Sequence, residues 1–143
     1  MVHFACHGTT DPSDPVASAL HLAGGERLPF VAVARADLGS ARLAFLAACE
    51  TALTGRRFAD EALHMASAFQ LAGFPPVIGT LWEAYGDLTA SVTRSVYAEI
   101  AAGTAPAIAL HRAVLELRSA QVDSGADLGP LARAPFTTSA SDG

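Results

Sequence analysis

Two short apolar runs, each followed by a polar side chain, stand out in the hydrophobic pattern of the chain. The first is residues 2–6, followed by His7, and the second is residues 42–48, followed by Cys49. Continuous apolar runs of this length are typical of strands that are buried on both faces of a parallel sheet. A third run, residues 77–82, predicts one more strand of the same kind.

The rest of the chain alternates between amphipathic helices and short extended pieces. The 3.6-residue spacing of apolar positions predicts helices over residues 60–73, 87–103 and 104–121, and a glycine closes each of the first two. Residues 18–22 and 29–34 flank a Gly-Gly pair and predict a short hairpin or two small extended pieces. This order of elements predicts an α/β fold with a mostly parallel central sheet and flanking helices.

The polar side chains at the ends of the first two strands, His7 and Cys49, form a candidate catalytic pair. Functional residues of parallel sheets gather at the carboxyl ends of neighbouring strands, and residues 8–48 are long enough for the crossover that parallel pairing requires. A thiol near its ordinary pKa needs a neighbouring base to become a good nucleophile, and His7 can be that base. The backbone N–H groups of Gly8 and Cys49 can then stabilise an oxyanion.

Each of these residues also has a structural interpretation. A free cysteine is often buried as a small hydrophobic residue, and His-Gly at the end of a strand is also a common turn. A zinc site is a third alternative, although the sequence has no further cysteine or histidine cluster at zinc-ligand spacing. Taken singly, neither His7 nor Cys49 establishes an enzyme.

Four blocks of sequence carry a family resemblance: HFACHG, ARLAFLAACETA, DEALHMASAFQLAGFPPVIGTLW and GTAPAIALHRAV. In this order they resemble the CHAT domain, a caspase-like cysteine peptidase family related to separase. The resemblance implies a caspase-like sandwich over residues 1–121, with His7 and Cys49 as the catalytic dyad and Gly8 as the glycine after the histidine. It also implies hydrolysis of peptide bonds through a thioester acyl-enzyme, with no metal or organic cofactor.

The resemblance further implies a substrate pocket that prefers a basic residue before the cut. Such a pocket needs a carboxylate, and Asp60 is our candidate, with a helix N-cap as its alternative role. Trp82, at the end of the third strand, can wall the pocket, and it can equally cover the core as an aromatic residue at the end of a sheet.

The resemblance also predicts that part of the domain is missing from this chain. In the family, strands and helices precede the histidine strand, whereas here Val2 follows the first residue. We therefore expect an N-terminally truncated domain in which residues 2–6 form an edge strand. This leaves a second functional hypothesis, a catalytically inactive fragment that acts as a protein-interaction module. The family's TPR-type regulation would then come from a separate protein or from the missing upstream region, since no repeat period is present.

The amino-acid composition indicates which binding partners and which cellular compartment to expect. The net charge is −5, and the nine basic residues are all arginines without a basic cluster, which excludes a typical nucleic-acid surface. No apolar stretch approaches the roughly 20 residues of a membrane span. Two cysteines without a CxxC pair indicate a reducing compartment, so we expect a cytoplasmic protein that acts on a protein or peptide substrate. Residues 122–143 are rich in small and polar residues and predict a flexible tail.

Overall fold

A computed structural model of the chain describes residues 1–9, 11, 14, 17–39, 41–47, 65–80, 86–124 and 136–140. The strands in these ranges are β1 (Val2–Phe4), β2 (His7–Thr9), β3 (Ala19–His21), β4 (Arg27–Pro29), β5 (Ala44–Leu46), β6 (Pro76–Thr80) and β7 (Phe136–Ala140). The helices are α1 (Phe30–Ala34), α2, described over residues 65–71, α3 (Gly86–Ala101) and α4 (Pro106–Ser124).

The main sheet has the strand order β1-β5-β6-β7. β5 runs parallel to both β1 and β6, and β7 runs antiparallel to β6. Helices flank this sheet, which confirms the predicted α/β fold with a mostly parallel centre and is consistent with a caspase-like sandwich. The order also places β1 at one edge, as the sequence predicted for the strand that begins at Val2.

The core lies on both faces of β5, and this explains why its sequence is apolar without interruption. Ala44, Phe45 and Leu46 are completely buried. Ala44 and Leu46 belong to a hydrophobic cluster that includes Phe69 of α2, whereas Phe45 belongs to a second cluster with Val92 of α3. A strand covered on two sides can expose no alternating polar residue, which is the pattern that the sequence shows.

A second, smaller sheet is antiparallel and has the order β2-β3-β4. The predicted hairpin is present here, since β3 and β4 are joined through a short 3-10 helix at Ala23–Gly25. Its second arm was predicted wrongly: the strand ends at Pro29, and residues 30–34 form α1. Phe30 and Val33 are the buried residues of α1, and their three-residue spacing suits a helix better than a strand.

The C-terminal segment also differs from the flexible tail expected over residues 122–143. α4 continues to Ser124, and Phe136–Ala140 pairs with β6 in the register Thr80↔Phe136. The ring of Phe136 packs against Phe45 with 6.4 Å between centroids. A partly buried aromatic side chain that packs against the core, followed by two threonines that favour extended backbone, suits a strand despite the linker-like composition.

Two glycines at helix ends provide a matched test of backbone strain. Gly73 has φ of 100° and Gly103 has φ of 92°, so an alanine is strained at either position. A Cβ on Gly73 would also lie 3.1 Å from the backbone of Leu38, whereas one on Gly103 meets nothing within 4 Å. We expect Gly103→Ala to lower the free energy of unfolding by about 1–2 kcal/mol, and Gly73→Ala to lower it further. Urea denaturation measures both, and equal losses would contradict the Leu38 contact.

Candidate active site

His7 opens β2, directly after a bend of the chain at Cys6. The strand predicted over residues 2–6 ends at Phe4 because the chain leaves the main sheet there and enters the smaller one. His7 is exposed, and the following Gly8 is buried. The imidazole is therefore accessible at the junction of the two sheets, while the backbone beside it is anchored.

The register of the smaller sheet gives His7 a neighbour that the sequence did not reveal. β2 pairs with β3 so that His7 lies opposite His21. Side chains of directly opposed residues lie on the same face of an antiparallel pair, and Thr9, two residues along, shares that face. The Thr9 Oγ1 lies 3.0 Å from Nε2 of His21. On the opposite face, Gly8 pairs with Leu20, which is completely buried.

Two backbone hydrogen bonds fix the direction in which the peptide groups of β3 point. The N–H of Leu22 donates to the carbonyl of Glu26 at 2.8 Å, and the N–H of Phe30 donates to the carbonyl of Ser18 at 3.0 Å. Ser18 and Leu22 therefore direct their peptide groups toward the β4 side. Successive residues of a strand point in opposite directions, so the first and last residues of β3 direct theirs toward β2.

The backbone of Gly8 consequently points away from β3. His7 and Thr9 exchange hydrogen bonds with β3, and Gly8 lies between them, so its N–H faces the outer edge of β2. An added Cβ at Gly8 would meet Leu20 Cδ2 at 3.7 Å and the carbonyl of Ala19 at 3.9 Å, which are ordinary contacts. The Gly8 amide therefore takes no part in the β2–β3 ladder.

The chain beyond β5 continues beside the end of β1. The N–H of Ala47 donates to the carbonyl of Phe4 at 2.8 Å, one residue past the last strand pair. Cys49 follows two residues later and lies outside the described residues, as do Asp60 and Trp82. The catalytic role of Cys49 and the pocket roles of Asp60 and Trp82 therefore stay predictions.

Cys6 is the other candidate thiol, and its environment does not favour reactivity. Its side chain packs against the core cluster that contains Leu46. Burial raises the pKa of the Cys6 thiol above its ordinary value. Since the thiolate is the nucleophile, Cys6 is a poor candidate at neutral pH.

His3 takes part in aromatic packing on one face of the main sheet. Its ring packs at 5.0 Å from the ring of Phe45 and at 5.7 Å from that of Tyr97. Burial lowers the pKa of His3, and burial also raises the pKa of Tyr97. His3 is exposed as a residue, and part of its ring packs against β5 and α3.

The lowered pKa of His3 predicts a pH-dependent part of stability. As pH falls below the ordinary value of 6.5, His3 takes up a proton first in the unfolded chain. The contribution of His3 to the free energy of unfolding is therefore full above pH 6.5. It falls as the pH drops, until His3 is also protonated in the folded state. We expect a smaller drop in Tm between about pH 7.5 and pH 5 in His3→Phe than in the wild type. His111→Phe on α4 is the control for the change of residue type, and a drop reduced as much as in His3→Phe would contradict the role of His3.

The described part of the chain has neither a cluster of metal ligands nor a membrane-spanning helix. No group of three or more His, Cys, Asp or Glu side chains is arranged there to hold a metal ion. None of the helices in these ranges is long and apolar enough to cross a membrane.

Comparison with known families agrees with the resemblance seen in the sequence. The family model of the CHAT domain matches residues 1–139, which is nearly the whole chain and includes β7 except for its last residue. The match confirms the predicted family and continues past residue 121, where the sequence predicted the end of the domain. No curated protein gives a significant match to this chain.

Proposed function

Because the chain belongs to the CHAT domain family, we propose that it is a caspase-like cysteine peptidase. Cys49 is the nucleophile and His7 the general base and acid. The CHAT family is associated with peptidases of this type, and the exposed position of His7 at the junction of the two sheets suits a residue that must reach a substrate.

The register of β1 and β5 is the observation that carries this proposal. Their last pair is Phe4↔Leu46. His7 comes three residues after Phe4, and Cys49 comes three residues after Leu46. Both residues therefore follow the carboxyl ends of adjacent parallel strands after the same number of residues, and functional residues of parallel sheets gather at that edge. The hydrogen bond from the Ala47 N–H to the Phe4 carbonyl belongs to this last pair and holds the two strand ends side by side.

The proposed reaction follows from these roles. His7 accepts the proton of the Cys49 thiol, and the sulfur attacks the carbonyl carbon of the scissile peptide. The N–H groups of Gly8 and Cys49 donate to the resulting oxyanion, and the outward direction of the Gly8 amide supports this role. His7 then protonates the leaving amine, which leaves a thioester on Cys49. Water, deprotonated by His7, hydrolyses the thioester and releases the new carboxyl end.

The proposal extends to the class of substrate and to the residues of the substrate pocket. We expect a protein or peptide substrate with a basic residue before the cut, with Asp60 as the carboxylate and Trp82 as a wall of the pocket. We also propose a cytoplasmic site of action, because the peptidase needs a reduced thiol. We further propose that a TPR-type protein regulates the peptidase.

Labelling with a peptidyl acyloxymethyl ketone tests the proposed function. We expect the wild-type chain to acquire one adduct, which tryptic mass spectrometry locates on Cys49. Cys6→Ala should be labelled like the wild type, since Cys6 is packed against the core. Cys49→Ala should not be labelled. Equal labelling of Cys49→Ala and the wild type would refute the assignment of the nucleophile.

A non-catalytic interaction module is the second candidate, and the position of β1 favours it. Val2 and Phe4 direct their peptide groups to β5, so those of His3 point to the side of β1 on which the described part of the chain places no strand. Open strand edges are places where another chain can add a strand. A folded wild-type chain that takes no label at Cys49 would favour this alternative over the peptidase.

A further inference from the structure

The residue that lies beside His7, on the next strand, has no role in the proposed reaction. We propose that His21, held in place by Thr9, is a positioning residue that restricts the side-chain conformations of His7. This inference deepens the proposed peptidase function, since its kinetic consequence exists only if His7 is the catalytic base. Its conformational consequence can be measured on the folded chain whether or not the chain is active.

The backbone brings the two histidines together. His7 and His21 point their peptide groups at each other, so they form a hydrogen-bonded pair with Cα atoms about 5.5 Å apart. Their side chains leave the same face of the sheet with Cβ atoms roughly 5 Å apart. The buried Leu20 anchors β3 from the other face, so His21 cannot move away without a shift of the core.

Thr9 fixes the ring of His21. Its Oγ1 lies 3.0 Å from Nε2, the atom farthest from the backbone, so the ring is held at its tip. On the other side of β3, Arg27 lies opposite His21, and its guanidinium donates to the carbonyl of Ala17 at 2.7 Å. Thr9 thus holds the tip of the His21 ring from β2, and Arg27 occupies the position opposite His21 on β4. His21 is half-buried, whereas His7 is exposed.

The fixed ring of His21 restricts the side-chain conformations of the exposed His7. A side chain has three staggered χ1 positions, and one that leans over β3 meets the ring of His21. His7 is left with positions directed away from β3. Without the fixed ring of His21, the imidazole of His7 would populate all three χ1 positions, and only one of them is productive. The expected loss in kcat is therefore about two- to threefold. Loss of a general base costs about 10²–10⁴-fold, so the two roles are separable by magnitude.

Enzyme kinetics on the full chain test the kinetic consequence. Thr9→Val keeps the shape of the side chain and removes the hydroxyl, so we expect kcat to fall two- to threefold with KM unchanged. Thr9→Ser keeps the hydroxyl and should retain the wild-type kcat. Thr104→Val is the matched control, because it removes the hydrogen bond from Thr104 to Glu99 at the α3–α4 turn without approaching His7. An unchanged kcat in Thr9→Val would overturn the kinetic role.

Scalar couplings that report χ1 of His7 test the conformational consequence without any activity. We expect one dominant χ1 position in the wild type and an average over several in Thr9→Val and in His21→Ala, with Thr104→Val like the wild type. If the wild type is inactive but these couplings change, the proposed function fails and the positioning stands. Unchanged couplings in both variants would overturn the positioning, even in a fully active peptidase.

Discussion

Replacement of Gly8 by proline is expected to lower kcat by about 10²–10³-fold, the usual effect of removing one oxyanion donor. Proline lacks the N–H group, and at most positions of a sheet this would also break the ladder. At Gly8 the N–H points away from β3, so the hydrogen bonds of His7 and Thr9 to β3 are kept. Edge strands tolerate proline in this orientation, and proline favours extended backbone at the preceding residue, which His7 already has.

Gly8→Ala is the matched control for this change. Alanine keeps the N–H group, and its Cβ would meet Leu20 at an ordinary contact distance of 3.7 Å. We therefore expect Gly8→Ala to retain most of kcat and to unfold at nearly the wild-type temperature. Hydrolysis of a fluorogenic peptide, with circular dichroism as the check on folding, measures both variants. A folded Gly8→Pro that hydrolyses the peptide as fast as Gly8→Ala would show that the donor lies elsewhere.

The parallel centre of the fold was predictable because a strand that is buried on two faces has an uninterrupted apolar sequence. Phe45 contacts α3 through one cluster, and its neighbours contact α2 through the other, so no polar residue can interrupt β5. The helix ends were predictable for a similar reason. Gly73 and Gly103 have positive φ values that other residues rarely adopt, and each follows an amphipathic segment.

The partner of His7 could not be predicted in this way. Pairing of His7 with His21 depends on the register between two strands that no tight turn connects. Each strand has only three residues, and neither shows a clear alternation of hydrophobic and polar positions that would indicate the register. The β7 strand was missed because its place is decided by contacts with β6 and with Phe45, far away in sequence. Long-range register is set by packing, and local composition carries little of it.

Replacement of His7 by glutamine is expected to lower kcat for peptide hydrolysis by about 10²–10⁴-fold. Glutamine can still donate a hydrogen bond, but it can neither accept the thiol proton nor return it to the leaving amine. His7 is exposed at the start of β2, so the change leaves the core intact and the Tm should stay close to that of the wild type. His111→Gln, on the exposed face of α4, is the control and should keep full activity.

The two halves of the proton transfer can be separated in His7→Gln. Reaction with iodoacetamide needs only the thiolate, so its rate at Cys49 should approach that of the wild type as pH rises above about 8.5 and solvent removes the proton. Peptide hydrolysis should stay low over the same range, because the amine leaving group still lacks a proton donor. Full recovery of hydrolysis at high pH would mean that His7 acts only as the base. Wild-type hydrolysis by His7→Gln at neutral pH would remove His7 from the mechanism altogether.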